Sequence, residues 1–298
     1  MFFHRPRAIL IQLTLLLALG FSACASFGTK ATPTPLGPTV TPVPPTATPE
    51  PMALTVNGEG VSVAEFQAEL ARYKSAQTAL GKTVSDADAS KTVIEDLIAQ
   101  VLLAQGAKAA GFDLSESALQ SREDALANQL GGADKLSAWE SGRGYTDASF
   151  RTALKRSAEA AWMRDKIVGA VSTAADQVHA QQILIFNADD AQTVFAQLKG
   201  GADFNELALK YDPNTRGDLG WFPKGFLLDS KIEAAAFSLQ AGQFSEVIQT
   251  DTGFHIIKVL ERDSQHQLSP DAFLSQQKRA LRDWVAQQRA QAAVVLAP

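Results

Sequence analysis

The chain has 298 residues, 46% of them hydrophobic, and a formal net charge of -5. This length is enough for two domains that each have a core. An acidic chain without a local cluster of Lys and Arg lacks the charge pattern of a nucleic-acid-binding protein, which excludes nucleic acid as a partner. The single cysteine, Cys24, excludes an intrachain disulfide, and four scattered histidines provide no metal-ligand spacing. We therefore expect neither a metal nor a cofactor.

Residues 1–24 have the pattern of a signal peptide. A basic start precedes an apolar run over residues 8–21, about 14 residues, which is shorter than the ~20 that a membrane-spanning helix needs. Small residues stand directly before Cys24 and resemble a bacterial lipobox, although Phe21 departs from the usual Leu. The pattern predicts lipidation at Cys24 and an extracytoplasmic, membrane-anchored lipoprotein. The alternative is ordinary cleavage after Ala25, which also fits the small-x-small rule.

Residues 25–52 are rich in proline and threonine and have almost no large apolar side chain. They hold eight of the thirteen prolines of the chain. Such a composition cannot bury enough apolar surface to offset the entropy of ordering, and its prolines favour extended backbone at ~3.1 Å per residue. We predict a disordered stalk, which is either O-glycosylated or a plain spacer.

Residues 53–173 have the periodicity of a helical domain. An extended piece with an Asn57-Gly58 turn comes first, and Ser62 then opens a helix by a capping box with Glu65. Apolar residues at helical spacing predict three more helices. These run over Val93–Ala110, from Ser115 to Leu130, and from Thr146 onward. The helices are rich in alanine and build little core, so a partly apolar face for unfolded chains is consistent with this composition.

The periodicity changes between residues 176 and 264. A β-rich run over 178–186, short helices over 190–199 and 204–210, and an alternating strand over 254–260 indicate a small α+β domain. Ser269-Pro270-Asp271 then opens a last helix within residues 268–292. Because the apolar face of this helix needs a partner, we predict that it packs on the amino-terminal helices. The fold class is therefore α+β, with a small antiparallel sheet domain inserted in a mainly helical one.

Two motifs in the α+β part identify a resemblance. The first motif, over residues 216–222, reads Arg-Gly-Asp-Leu-Gly-Trp-Phe. The second, over residues 250–259, reads Thr-Asp-Thr-Gly-Phe-His-Ile-Ile-Lys-Val. Together they resemble the signature of the parvulin (PpiC-type) family of peptidyl-prolyl cis/trans isomerases, over about residues 176–264. The flanking segments, with Val56-Asn57-Gly58 and the terminal helix, look like those of bacterial extracytoplasmic foldases that join a helical chaperone domain to a parvulin domain.

The resemblance implies a set of site residues. Those matching catalytic positions are His255, Asp212, Gln182 and Thr252, and those matching the apolar substrate pocket are Leu219, Leu228, Ile232 and Phe237. Gln182, and not His179, stands where the family has its first central histidine, and an amide does not titrate near neutral pH. Ile232 stands where an aromatic residue is common. From the residues alone, Asp212 is equally well a turn residue before Pro213. For His255, on an alternating strand, the alternative to a site residue is a core histidine with satisfied hydrogen bonds.

The resemblance also implies a function. It predicts a peptidyl-prolyl isomerase and foldase that acts on X-Pro bonds of unfolded or newly secreted proteins at the outer face of a membrane. The short acidic segment 187–190 contains no Arg or Lys to clamp a phosphate, so we expect no phosphate specificity. One alternative is a weak or inactive parvulin-like chaperone that only binds unfolded peptides. Another is a stalked envelope protein without a client.

Overall fold

The computed structural model describes residues 50–297, and Pro49–Pro298 forms one compact unit. The predicted signal peptide, the lipidation of Cys24 and nearly all of the predicted stalk fall outside the described residues. Within residues 50–297, every helix is too short or too polar to cross a membrane.

A β-hairpin opens the described part of the chain. It pairs β1, Met52–Val56, with β2, Glu59–Ser62. The turn residues Asn57 and Gly58 have φ angles of 53° and 84°. Two successive positive φ angles fit the type I′ turn whose twist matches that of the flanking strands, and Asn-Gly is the preferred pair for it. The extended piece and its turn are thus as the sequence predicts.

Five helices follow the hairpin. They are α1, Val63–Ala79; α2, Asp86–Ala109; α3, Glu116–Leu130; α4, Ala133–Ser141; and α5, Asp147–Gly169. Each except α4 begins at a Ser or Thr whose hydroxyl accepts a hydrogen bond from the backbone three residues on. Helix α2 begins before the predicted Val93 because Ser85 caps it. The sequence did not predict α4, which is short and has no side-chain cap.

The α+β part is a four-stranded antiparallel sheet with helices on both faces. Its elements are β3, Ala174–Ile185; α6, Ala188–Lys199; α7, Phe204–Tyr211; β4, Asp218–Pro223; α8, Ser230–Ser238; β5, Ile248–Thr250; and β6, Gly253–Gln267. The strand order is β4-β3-β6-β5. One core, with Ile183 and Ile256, lies under α6 and α7. The other, with Ala180 and Ile257, lies under α8.

The last elements return to the helical part. Helix α9, Pro270–Gln291, packs on α5 and α2, and strand β7, Val294–Leu296, pairs with β1. The contact is close, since a Cβ on Gly106 of α2 would lie 2.6 Å from the Trp284 ring of α9. The predicted insertion of an α+β domain into a mainly helical one is confirmed. The sequence did not predict β7, because this strand has only three residues and forms by pairing with β1.

A buried ion pair joins the hairpin, α1 and α5. Arg156 of α5 is 2% exposed and donates to both carboxylate oxygens of Glu65, at 2.8 and 2.7 Å. It also donates to Glu59 at 3.1 Å and to the carbonyl of Gly60 at 2.8 Å. Burial raises the pKa of Glu65 despite the nearby guanidinium. The predicted capping box is half formed: Ser62 accepts from the Glu65 backbone, while the Glu65 carboxylate binds Arg156.

Replacing the buried guanidinium should destabilise the protein strongly. We expect Arg156→Met to lower the free energy of unfolding by ~3–5 kcal/mol, because Glu65 would be left buried without its partner. The matched control is Arg164→Met on the same helix, whose half-exposed side chain contacts Asp165 and whose loss should cost at most ~0.5 kcal/mol. Urea unfolding measures both variants. Equal losses would contradict a stabilising role for the pair.

Candidate active site

His255 and Gln182 lie on the same face of the four-stranded sheet. In the register of β3 and β6, Leu184 is opposite His255 and Gln182 is opposite Ile257. Residues directly opposite in an antiparallel pair share a face, and side chains alternate along each strand. His255 and Gln182 therefore face the side that α8 covers, at the edge of the core that contains Ile257. His255 is 3% exposed and Gln182 is half-buried.

The imidazole of His255 is held from both sides. Its Nδ1 lies 3.0 Å from Oε1 of Gln182. In this orientation of the amide the oxygen accepts, so Nδ1 carries the proton. Its Nε2 then accepts from a hydroxyl, with Thr250 at 2.9 Å and Thr252 at 3.2 Å. The structure thus places the predicted residues His255, Gln182 and Thr252 in one hydrogen-bonded group.

Thr250 also contacts the imidazole and was not predicted from the sequence. It faces His255 because β5 and β6 form a tight hairpin in which Thr250 pairs with Gly253. The signal was available in Thr250-Asp251-Thr252-Gly253, where the glycine has a φ of 140°. Two threonines around such a turn bring two hydroxyls to the start of the next strand.

Asp229 is a second residue that was not predicted from the sequence. Burial lowers the pKa of His255 below its ordinary value of 6.5, while the charge of Asp229 acts in the opposite direction. Asp229 caps α8, where its carboxylate accepts from the backbone of Lys231 at 2.8 Å and of Ile232 at 3.2 Å. Burial has the larger effect, so the imidazole is neutral at pH 7.

Asp212 lies in the turn that adjoins this group. Its carboxylate accepts from the Thr215 hydroxyl and from the backbone of Asn214, Thr215 and Gly217, which lowers its pKa to about 2. The Gly217 carbonyl in turn accepts from the backbone of Gln182 at 2.8 Å. Within residues 50–297, the carboxylate bonds of Asp212 all go to this turn. Asp212 therefore connects with Gln182 through backbone and does not bond to His255.

The four predicted pocket residues differ in exposure. Leu219 and Phe237 are half-buried against the core under α8. Leu228 is fully exposed in the loop before α8, where it is free to contact a ligand. Ile232 is only 8% exposed and belongs to the core itself, so it presents little surface.

His179 lies on the opposite face of the sheet from Gln182. Its Nε2 is 2.9 Å from a carboxylate oxygen of Asp218, and its ring stacks on Trp221 with centroids 5.6 Å apart. Residues 179 and 182 are an odd number of positions apart on β3, so their side chains point to different faces. The structure thus separates His179 from the group around His255.

Gly217 allows β3 and the Asp212 turn to approach closely. Its φ is +68°, and a Cβ there would lie 1.9 Å from the carbonyl oxygen of Gln182. Gly220 of the same motif has a similar φ of +67° but faces open space. A side chain at position 217 would therefore displace Gln182, whereas one at position 220 would strain only its own backbone.

Comparison with known proteins gives two domain matches. Residues 170–261 match the family model described as the PPIC-type PPIASE domain, and residues 46–128 match that of the SurA-like N-terminal domain. The resemblances predicted from the motifs are thereby confirmed.

Similar whole proteins match over a limited share of this chain. Foldase protein PrsA of Oceanobacillus iheyensis is 42% identical over 88 residues, which are 28% of this chain and 29% of that protein. PrsA of Halalkalibacterium halodurans is 36% identical over 124 residues, 37% of each chain. The chain matches about a third of the length of these curated relatives. A crystal structure of PrsA from Bacillus cereus has a TM-score of 0.41 and 19% identity, covering 77% of this chain and 82% of that one.

A pair of glycine substitutions tests the close approach at the site. Gly220→Ala should cost ~1–2 kcal/mol of unfolding free energy, the strain of a left-handed alanine. Gly217→Ala carries the same strain and adds a backbone clash of ~1–3 kcal/mol. Urea unfolding should therefore show a larger loss of unfolding free energy for Gly217→Ala than for Gly220→Ala. The side-chain amide resonances of Gln182 should shift only in Gly217→Ala. Equal losses of unfolding free energy in the two variants would show that the close approach of Gln182 does not exclude a side chain at position 217.

Proposed function

We propose that this chain, whose residues 170–261 form a PPIC-type peptidyl-prolyl isomerase domain, catalyses cis/trans isomerisation of X-Pro bonds in unfolded polypeptides. The observation that carries the proposal is the neutral His255 held between Gln182 and two threonines beside an apolar face. The SurA-like amino-terminal part supports a foldase that also binds its client. Its partners are then unfolded or secreted proteins.

Isomerisation makes and breaks no covalent bond. The barrier of ~18–20 kcal/mol arises from amide resonance, so the enzyme needs only to bind the twisted imide more tightly than the planar one. Leu219, Phe237 and the exposed Leu228 provide apolar surface for the proline ring. A ring seated there excludes water, which weakens the stabilisation of the charge-separated planar amide.

The polar group beneath this surface fixes the electrostatics of the site. Nδ1–H of His255 donates to Gln182, and Nε2 accepts from a threonine hydroxyl, so the imidazole has one orientation and one tautomer. Because no proton transfer is needed, Gln182 can serve in place of a histidine. Asp212 contributes indirectly, by holding the Gly217 turn against Gln182.

A protease-coupled proline-peptide assay on residues 50–298 tests the activity. We expect acceleration over the uncatalysed rate, and a loss of at least about tenfold in kcat/KM for His255→Ala, equivalent to ~1.4 kcal/mol. His179→Ala is the matched control, because this histidine lies on the other face of the sheet. The catalytic proposal fails if the parent does not exceed the uncatalysed rate, or if both variants lose activity equally.

The pH dependence follows from the lowered pKa of His255. We expect kcat/KM to be constant above pH 6.5, the ordinary histidine value, and to fall below it as protonation removes the acceptor at Nε2. The unfolded chain binds the proton first, so the stability contribution is complete above pH 6.5 and declines as pH falls toward the folded pKa. Rate profiles and the imidazole resonances measure this. An acid limb centred above 6.5 would contradict it.

A second candidate is a chaperone that binds without catalysis. Two observations favour it. Gln182 stands where parvulins have their first central histidine, and Ile232 is buried in the core, where it presents little surface to a substrate. A cavity of about 910 Å³ lined by α1, Trp139 and Tyr145 offers apolar surface in the helical part. Suppression of client aggregation without isomerase activity would select this function. Gln182→His should then raise turnover if the remaining site is intact.

The proposed location is the outer face of a membrane, with the chain anchored through a lipid on Cys24. The support is the signal-like segment 1–24, which ends in small residues and Cys24. In a bacterial host, radiolabelled palmitate should enter the parent chain and be absent from Cys24→Ala. Equal labelling of both, or of neither, would contradict the anchor.

A further inference from the structure

The loop over residues 224–229, between β4 and α8, borders the candidate site. It carries the exposed Leu228, and it ends at Asp229, whose charge acts on His255. Phe226 and Leu227 pack on the core under α8. The loop therefore contributes to the apolar surface that is proposed above to receive the proline ring.

From inside the α+β part, one carboxylate holds the loop. Glu233 of α8 accepts from the backbone N–H of Gly225 at 2.7 Å, of Phe226 at 3.0 Å and of Leu227 at 3.1 Å. Three consecutive donors on one carboxylate fix the backbone of the loop with respect to α8.

From outside, the loop is held by α9, which belongs to the helical part. Arg279 Nη1 and Gln276 Nε2 each donate to the carbonyl of Lys224 at 2.8 Å. The guanidinium also lies against the backbone of Gly225, where a Cβ would be 2.1 Å from Nη1. Gly225 has a φ of +81°, so the position suits glycine both in conformation and in space.

We propose that Arg279 and Gln276 are positioning residues, through which the helical part sets the geometry of the 224–229 loop and hence substrate binding at the isomerase site. The proposal rests on the proposed function. It assigns to α9 a second role besides packing on α5 and α2: the helix links the client-binding part of the chain to the rim of the catalytic face.

The test uses the full chain and compares Arg279→Ala with Arg282→Ala. Arg282 is on the same helix with a side chain 71% exposed, near Asp283, and is the matched control. In Arg279→Ala we expect amide exchange at Gly225, Phe226 and Leu227 to accelerate about five- to tenfold, as loss of one hydrogen bond implies. We also expect KM for a proline peptide to rise with kcat nearly unchanged, because uniform binding is lost. Arg279→Lys should partly restore the slow amide exchange of the loop and the lower KM.

Gly225→Ala perturbs the same contact from the loop side, so the test does not depend on α9 tolerating one substitution. It should produce the same exchange and KM changes, while the thermal midpoint stays within a few degrees of the parent. Unchanged exchange and unchanged KM in Arg279→Ala overturn the inference. If the parent lacks isomerase activity, the proposed function fails, and the exchange rates alone then decide whether α9 fixes the loop.

Discussion

The antiparallel pairing of β3 with β6 is the constraint on which the rest of the molecule depends. Its register runs from Ala174 opposite Gln267 to Ile185 opposite Phe254. One end of this ladder continues into the helical part, where the Leu268 N–H donates to Thr173, and the other end carries the proposed site. A slip of one residue in β6 would turn His255 away from Gln182 and toward α6 and α7. The same ladder therefore fixes both domain attachment and site chemistry.

Both parts of the described chain bury polar groups, but the buried groups differ in charge. In the α+β part the buried imidazole is neutral, and each ring nitrogen has a partner. In the helical part the buried groups are charged: Arg156 is fully paired, while Glu159 is fully buried and lies 3.4 Å from Lys108. The same helices also bury apolar side chains, among them Leu97 and Ile98 of α2. Removing one partner of a buried ion pair is costly because the other charge is left unpaired.

The sequence predicts what depends on local chemistry. The helix starts at Ser62, Ser115, Thr146 and Ser269 are determined by a hydroxyl and the backbone three residues away, and they lie where predicted. The strand β7 and the partners of Arg156 could not be predicted, because they depend on segments far apart in the chain. For the same reason, only some of the site residues could be predicted. A motif indicates His255 and Gln182, whereas the proximity of Asp229 depends on the path of a loop, and the burial of Ile232 on the packing of α8.

The pairing of β7 with β1 has a consequence for the order in which the protein can mature. The central strand of the small sheet, β1, receives its second neighbour from residues 294–296, so it keeps an open edge until that segment has been synthesised. Exposed strand edges invite pairing with other chains. Contacts between segments this distant also form late, since a long loop must close first. The inserted domain, whose strands are all within residues 174–267, can close before the domain that surrounds it. The small sheet of the helical part can therefore be completed only after the whole inserted domain has been synthesised.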